Sequence, residues 1–216
     1  MREKTIFWNV DTQADFMCKS GALYIVGAES IEDNLGRLTW HASEHNIQVV
    51  NTADWHDDNT EEIAKDEPDF IMTFPAHCMK GTVGSEYVPA TKPSNPYVVD
   101  WDAKSISLEE IAKNREIVIR KDKFDVFAGN PHARQVLDAI NPRRVIIYGL
   151  ATNYCVNFAV QGLLKKEGLE VYVVKDAIKE IALPKENDWN HEKVLKKWED
   201  AGVKLVTTNQ VLKMYR

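Results

Sequence analysis

The feature of this chain that most constrains its fold is a rhythm in which short β-rich apolar runs alternate with segments of helical spacing. Thr5–Val10 reads as a first strand ending at Asp11, and 47–52, 117–120 and 144–148 as a second, third and fourth. Residues 170–174 and 203–207 read as further strands. Between them, Ile31, Leu35, Leu38 and Ala42 recur at helical spacing over 30–44, with Ser30 as N-cap ahead of Glu32 and Asp33. Residues 153–166 read as another helix, beginning at or just before Cys155, with Gly168 placed where a helix stop is common. Strands interleaved with helices build βαβ units. The expected fold is therefore α/β, a three-layer αβα arrangement with a mainly parallel, Rossmann-like central sheet.

Residues 55–105 break the rhythm. They are rich in Asp, Pro, Gly and aromatics with little periodicity, and a loop that long in a compact domain usually carries function. No repeat or linker divides the 216 residues, so one domain over 1–216 is expected. The 33 acidic against 27 basic side chains give a net charge of −6, which argues against a nucleic-acid surface. No apolar stretch is long enough to span a membrane, and nothing at the N-terminus resembles a signal peptide. Cys18, Cys78 and Cys155, odd in number and widely spaced, do not form a disulfide framework. A cytoplasmic protein with reduced thiols is expected, and a homo-oligomer.

In open α/β sheets, binding sites lie beyond the carboxyl ends of the strands. Asp11 follows the first apolar run, Lys121 the third, and 149–155, ending in Cys155, the fourth. A thiol near a lysine at a helix N-terminus is favoured as thiolate. A neighbouring carboxylate can take its proton and later hand it to a leaving amine, and the turn before Cys155 offers N–H groups to an oxyanion. Each residue also has an ordinary reading. Cys155 could be a small core residue, Asp11 a turn residue, and Lys121 a solvated strand end.

Four segments in order resemble the isochorismatase-like cysteine hydrolases, in particular their nicotinamidase/pyrazinamidase branch. Val10-Asp11-Thr12-Gln13-Ala14-Asp15-Phe16 is similar to D-x-Q-x-D-F. Ala53-Asp54-Trp55-His56, with the run from Phe74-Pro75-Ala76-His77-Cys78 to Gly84-Ser85-Glu86, resembles the D-W-H and W-P-x-H-C-x-x-G-T-x-G-A-E pair. Lys121-Asp122-Lys123-Phe124-Asp125-Val126-Phe127 resembles K-x-x-F-S-x-F, and Gly149-Leu150-Ala151-Thr152-Asn153-Tyr154-Cys155-Val156 resembles G-x-A-T-D-x-C-V. The chain departs from these patterns at Phe74 (usually Trp), Asp125 (Ser) and Asn153 (Asp), none of which removes a catalytic atom.

The resemblance implies Asp11 as acid/base, Lys121 as its charged partner and Cys155 as nucleophile. It also implies a cis peptide at Leu150–Ala151 and an oxyanion site from the N–H groups of Ala151 and Cys155. Phe16 and Phe74 are expected to flank the substrate ring. Asp54, His56 and His77 offer one oxygen and two nitrogens, a set that suits a divalent transition metal, zinc first and iron or manganese next. As residues alone, a D-x-H and a loop histidine are weak evidence; in the family these positions are the ligands. Glu62 falls where a fourth ligand sometimes stands and could equally be solvated. The implied activity is conversion of nicotinamide, and of pyrazinamide, to the acid and ammonia within NAD salvage. The alternatives are a metal-independent small-amide hydrolase of the same superfamily and a catalytically silent regulatory member.

Overall fold

The computed structural model describes residues 4–182 and 190–214. In chain order the elements are β1 (Thr5–Val10), α1 (Ala14–Met17), α2 (Glu32–Glu44), β2 (Gln48–Asp54), β3 (Tyr97–Val99), α3 (Leu108–Lys113), β4 (Glu116–Lys121), α4 (Val126–Gly129), α5 (Ala133–Ile140), β5 (Arg144–Leu150), α6 (Asn157–Leu164), β6 (Glu170–Lys179), α7 (His191–Asp200), β7 (Lys204–Val206) and α8 (Thr208–Met214). The seven strands form one sheet in the order β3-β4-β2-β1-β5-β6-β7, and every pairing is parallel. A parallel sheet needs a cover on both faces. Here α2 packs with α8, while α3, α4, α5 and α6 contact one another as a separate group, completing the three-layer α/β architecture.

The strand sequences explain their depth. All seven residues of β2 are buried, and so are all but the first of β5. β5 reads as a nearly continuous apolar run after Arg144, whereas β2 also buries Gln48, Asn51, Thr52 and Asp54, each of them hydrogen-bonded. Chain order reverses at β1, which has β2 on one side and β5 on the other. That reversal opens a crevice at the carboxyl edge, where this class of sheet binds its ligands. Close approach of β5 to β1 there requires Gly149. Its φ is +118°, and a Cβ on it would stand 2.1 Å from the Val10 carbonyl oxygen.

Several local readings change. Ser30 does not cap α2; it lies in a 3₁₀ turn over Ala28–Ile31 that leads into the helix, and its hydroxyl donates to the Gly27 carbonyl. Residues 55–105 are not without order. They contribute the edge strand β3, a 3₁₀ turn over Val83–Ser85, and isolated bridges pairing His56 with Met79 and Ile63 with Phe74. The turn after β5 is a π-helical turn over Thr152–Val156 that continues into α6. The Leu150–Ala151 peptide is cis. No helix among the described residues is long and apolar enough to cross a membrane.

Candidate active site

The register of the sheet brings the expected residues together. Val10 pairs with both Thr52 and Gly149, so Asp11 emerges between β2 and β5, and Asp54 pairs directly with Lys121 across β2 and β4. Asp11 sits at φ +47°, in the left-handed region that a β-carbon disfavours. Its N–H donates to the Thr52 carbonyl (3.2 Å), and its Oδ1 accepts from the Thr52 hydroxyl (2.6 Å). Its Oδ2 faces Lys121 Nζ at 3.0 Å. The same ammonium donates to Asp54 Oδ1 and lies 3.5 Å from Cys155 Sγ. All four side chains are buried.

Burial sets the electrostatics. An ammonium out of water is disfavoured, but the carboxylates of Asp11 and Asp54 outweigh this and hold Lys121 well above its usual range. Burial raises Asp11, with Lys121 opposing, and the net direction is upward. Burial also works to raise Asp54, yet the Lys121 ammonium outweighs it and holds this carboxyl below the carboxylate range. The Cys155 thiol is pushed up by burial against the pull of Lys121. Burial and the ammonium thus oppose each other at the sulfur. Asp11 is the neighbouring carboxylate whose affinity for protons is raised.

Beside this set stand Asp54, His56 and His77, whose ligand-type atoms lie within 4.8 Å of one another. Asp54 Oδ2 is 3.8 Å from His56 Nε2 and 3.9 Å from His77 Nε2. With ligand bonds of about 2.0–2.2 Å, one ion can be shared at such spacings after small adjustments. Both ring nitrogens of His56 are buried without a hydrogen-bond partner, an arrangement that disfavours burial unless something binds them. The Pro75 carbonyl fixes His77 Nδ1 at 2.7 Å, and burial lowers this imidazole to about 4, so it is neutral and able to ligate. The donor set fits a divalent metal. Glu62 lies outside this cluster. Its Oε1 accepts from the Phe124 N–H (2.8 Å), and burial, aided by Asp54, raises its carboxyl to about 8.

Phe16 and Phe74 line a narrow cavity of about 30 Å³ together with Asp54, His77, Ala151 and Cys155. Leu23, Ile25, Phe124, Tyr154 and Ile181 complete its walls. Phe124 and Tyr154 lie inside recognisable motifs and could have been found from them; Leu23, Ile25 and Ile181 carry no signal in sequence. Phe74 meets the rings of Phe124 and Tyr154 edge-on, at 5.7 and 5.4 Å. A larger depression of about 320 Å³ lies at the opposite edge of the sheet, near Lys4 and His45. It contains none of the thiol, carboxylate or paired imidazole groups, so the smaller cavity is the chemically equipped one.

Two side chains that the motifs contain without an assigned role hold the site in place. Gln13 is fully buried, and its amide pairs with both backbone groups of Asp54. Oε1 accepts from the Asp54 N–H (2.8 Å), while Nε2 donates to the Asp54 carbonyl (2.8 Å) and the Ser85 carbonyl (2.9 Å). Asp15 accepts from the Cys78 N–H at 2.7 Å and so anchors the residue after His77. Room for that carboxylate exists only because residue 84 is glycine; a Cβ there would lie 2.1 Å from Asp15 Oδ2.

A parallel α/β sheet with a buried thiol, ammonium and carboxylate at its switch point, next to a carboxylate and two imidazoles, defines a hydrolase of the α/β class. More particularly, the chain belongs to the isochorismatase family, since the Isochorismatase domain model matches residues 5–210. It is 27% identical to a nicotinamidase of Escherichia coli (strain K12) over 195 residues, covering 77% of this chain and 79% of that protein. A nicotinamidase/pyrazinamidase of Mycobacterium tuberculosis (strain ATCC 25618 / H37Rv) is 31% identical over 81 residues, which span 38% of this chain and 42% of that relative. Among solved structures, the pyrazinamidase of Pyrococcus horikoshii in complex with zinc superposes with a TM-score of 0.72 at 27% identity, over 94% of this chain and 99% of that one.

Proposed function

We infer that this protein is an amidohydrolase, one catalytic domain converting nicotinamide, and also pyrazinamide, to the corresponding acid and ammonia. Asp11 takes the Cys155 proton, and the sulfur attacks the amide carbon, forming the C–S bond. The N–H groups of Ala151 and Cys155 receive the developing oxyanion; in support, the Ala151 carbonyl accepts from the N–H groups of Tyr154 (3.0 Å) and Val156 (3.1 Å), passing over Cys155. Collapse breaks the C–N bond, and Asp11 returns its proton to the departing ammonia. Asp11 then draws a proton from water, which adds to the thioester, and protonation of the sulfur releases the acid.

Throughout, Lys121 holds the Asp11 carboxylate and keeps a positive charge beside the sulfur. Asp54, His56 and His77 would hold a divalent metal, zinc by donor type, which supplies a Lewis-acid anchor for the ring nitrogen of the substrate. Phe16 and Phe74 flank the ring. The observation that carries this reading is the single ammonium of Lys121, within 3.0 Å of the Asp11 carboxylate and 3.5 Å of the Cys155 sulfur. The unsatisfied nitrogens of His56 favour it over a metal-independent amidase. We place the reaction in cytoplasmic NAD salvage. Ammonia release from nicotinamide by the purified protein tests the reading; a folded, metal-loaded protein that releases none contradicts it.

A further inference from the structure

The turn that carries the nucleophile also holds one wall of the substrate cavity. Asn153 is 1% exposed, and its carboxamide pairs with both backbone groups of Ile181: Nδ2 donates to the carbonyl at 3.0 Å, and Oδ1 accepts from the N–H at 3.1 Å. Ile181 lies beyond the end of β6, where no strand ladder fixes it, and among the described residues its backbone hydrogen bonds are both to Asn153. Its side chain lines the cavity with Ala151 and Cys155, the residues two before and two after Asn153.

From this geometry, and resting on the amidase reading of the cavity, we propose that Asn153 is a specificity-positioning residue. By gripping Ile181 it fixes that wall relative to the thiol and restricts the site to primary carboxamides carried on a single planar ring. The choice of side chain follows from the two groups it meets. One is a donor and the other an acceptor, and only a carboxamide of this size matches both. Aspartate, common at this position in the resembled motif, could accept from the N–H but would set a buried carboxylate against a carbonyl oxygen. The wall would then lose half of its attachment, with no change in any group that reacts. Ile181 stands in the cavity wall with Phe16, Phe74 and Cys155, so a small retreat of it alters which rings fit.

The test compares nicotinamide with its fused-ring analogue quinoline-3-carboxamide in the metal-loaded wild type, Asn153→Asp and Ile181→Ala. Asn153→Asp is expected to raise KM for nicotinamide about tenfold with kcat changed less than about threefold. The preference for nicotinamide over the fused ring, as a ratio of kcat/KM values, is expected to fall about tenfold. Ile181→Ala removes the wall directly and is expected to lower the same ratio with the Asn153 pairing intact. An active wild type whose preference is unmoved in Ile181→Ala overturns the proposal and leaves the amidase reading standing. The same holds for a folded Asn153→Asp with unchanged KM and preference; should that variant not fold, Ile181→Ala decides alone. A wild type that hydrolyses neither amide overturns both.

Discussion

Asp54 and Lys121 are direct partners in the β2–β4 ladder, so the carboxylate that faces two imidazoles and the ammonium that faces the thiol stand one strand spacing apart. The metal-type donor set and the nucleophile set are thus one buried charge network with Asp54 at the join.

Removing Lys121's charge while keeping its bulk should show this. In Lys121→Met, Asp11 and Asp54 lose the cation they share in a buried setting, and breaking such a network costs about 3–5 kcal/mol. The metal-free variant is expected to unfold at clearly lower denaturant concentration than the metal-free wild type and to lack turnover. Urea titration monitored by fluorescence checks the first, and ammonia release the second.

Asp11 must be ionised to accept the thiol proton. Burial raises its pKa, so kcat/KM is expected to fall as pH drops through a value above 3.8, the ordinary carboxylate value. The Thr52 hydroxyl bond favours the ionised form. Thr52→Val removes it and is expected to move the acid limb to higher pH. A pH–rate profile in which the limb stays put or moves down contradicts the assignment of Asp11 as the base.

Chelation should abolish nicotinamide hydrolysis, and one equivalent of a divalent metal should restore it. His77→Ala is expected to lose bound metal and raise KM strongly, because ring positioning suffers more than thiol chemistry. Gln13→Leu breaks the grip on the Asp54 backbone and should lower metal affinity about tenfold, a value within the usual range for residues that orient ligands. Elemental analysis after dialysis against a competing chelator reads both. Benzamide, which lacks the ring nitrogen, should be a far poorer substrate than nicotinamide.

Much of this site was legible in sequence because the polar residues following apolar runs are, by topology, at the sheet's carboxyl edge. Asp11, Lys121 and Cys155 were found that way, and the family motifs led to Asp54, His56 and His77. What was not legible depends on register and on irregular backbone. Nothing in residues 55–105 announces that His56 will bridge to Met79 and so bring the His77 segment alongside. β3 is three residues at the sheet edge, too short to leave a period. Ile181 is an ordinary apolar residue until Asn153 is seen to hold it. The lysine beside the thiol was legible too, whereas the depth of burial that opposes its pull on the sulfur depends on tertiary packing.

The most direct test of the central claim is mass analysis of the Cys155 peptide after rapid acid quenching of metal-loaded enzyme turning over nicotinamide. The account predicts a nicotinoyl group on Cys155 during turnover, absent after substrate is exhausted, and Cys155→Ala folded but without ammonia release. Steady ammonia release by Cys155→Ala, or an acyl group found on Cys18 or Cys78 instead, would contradict it.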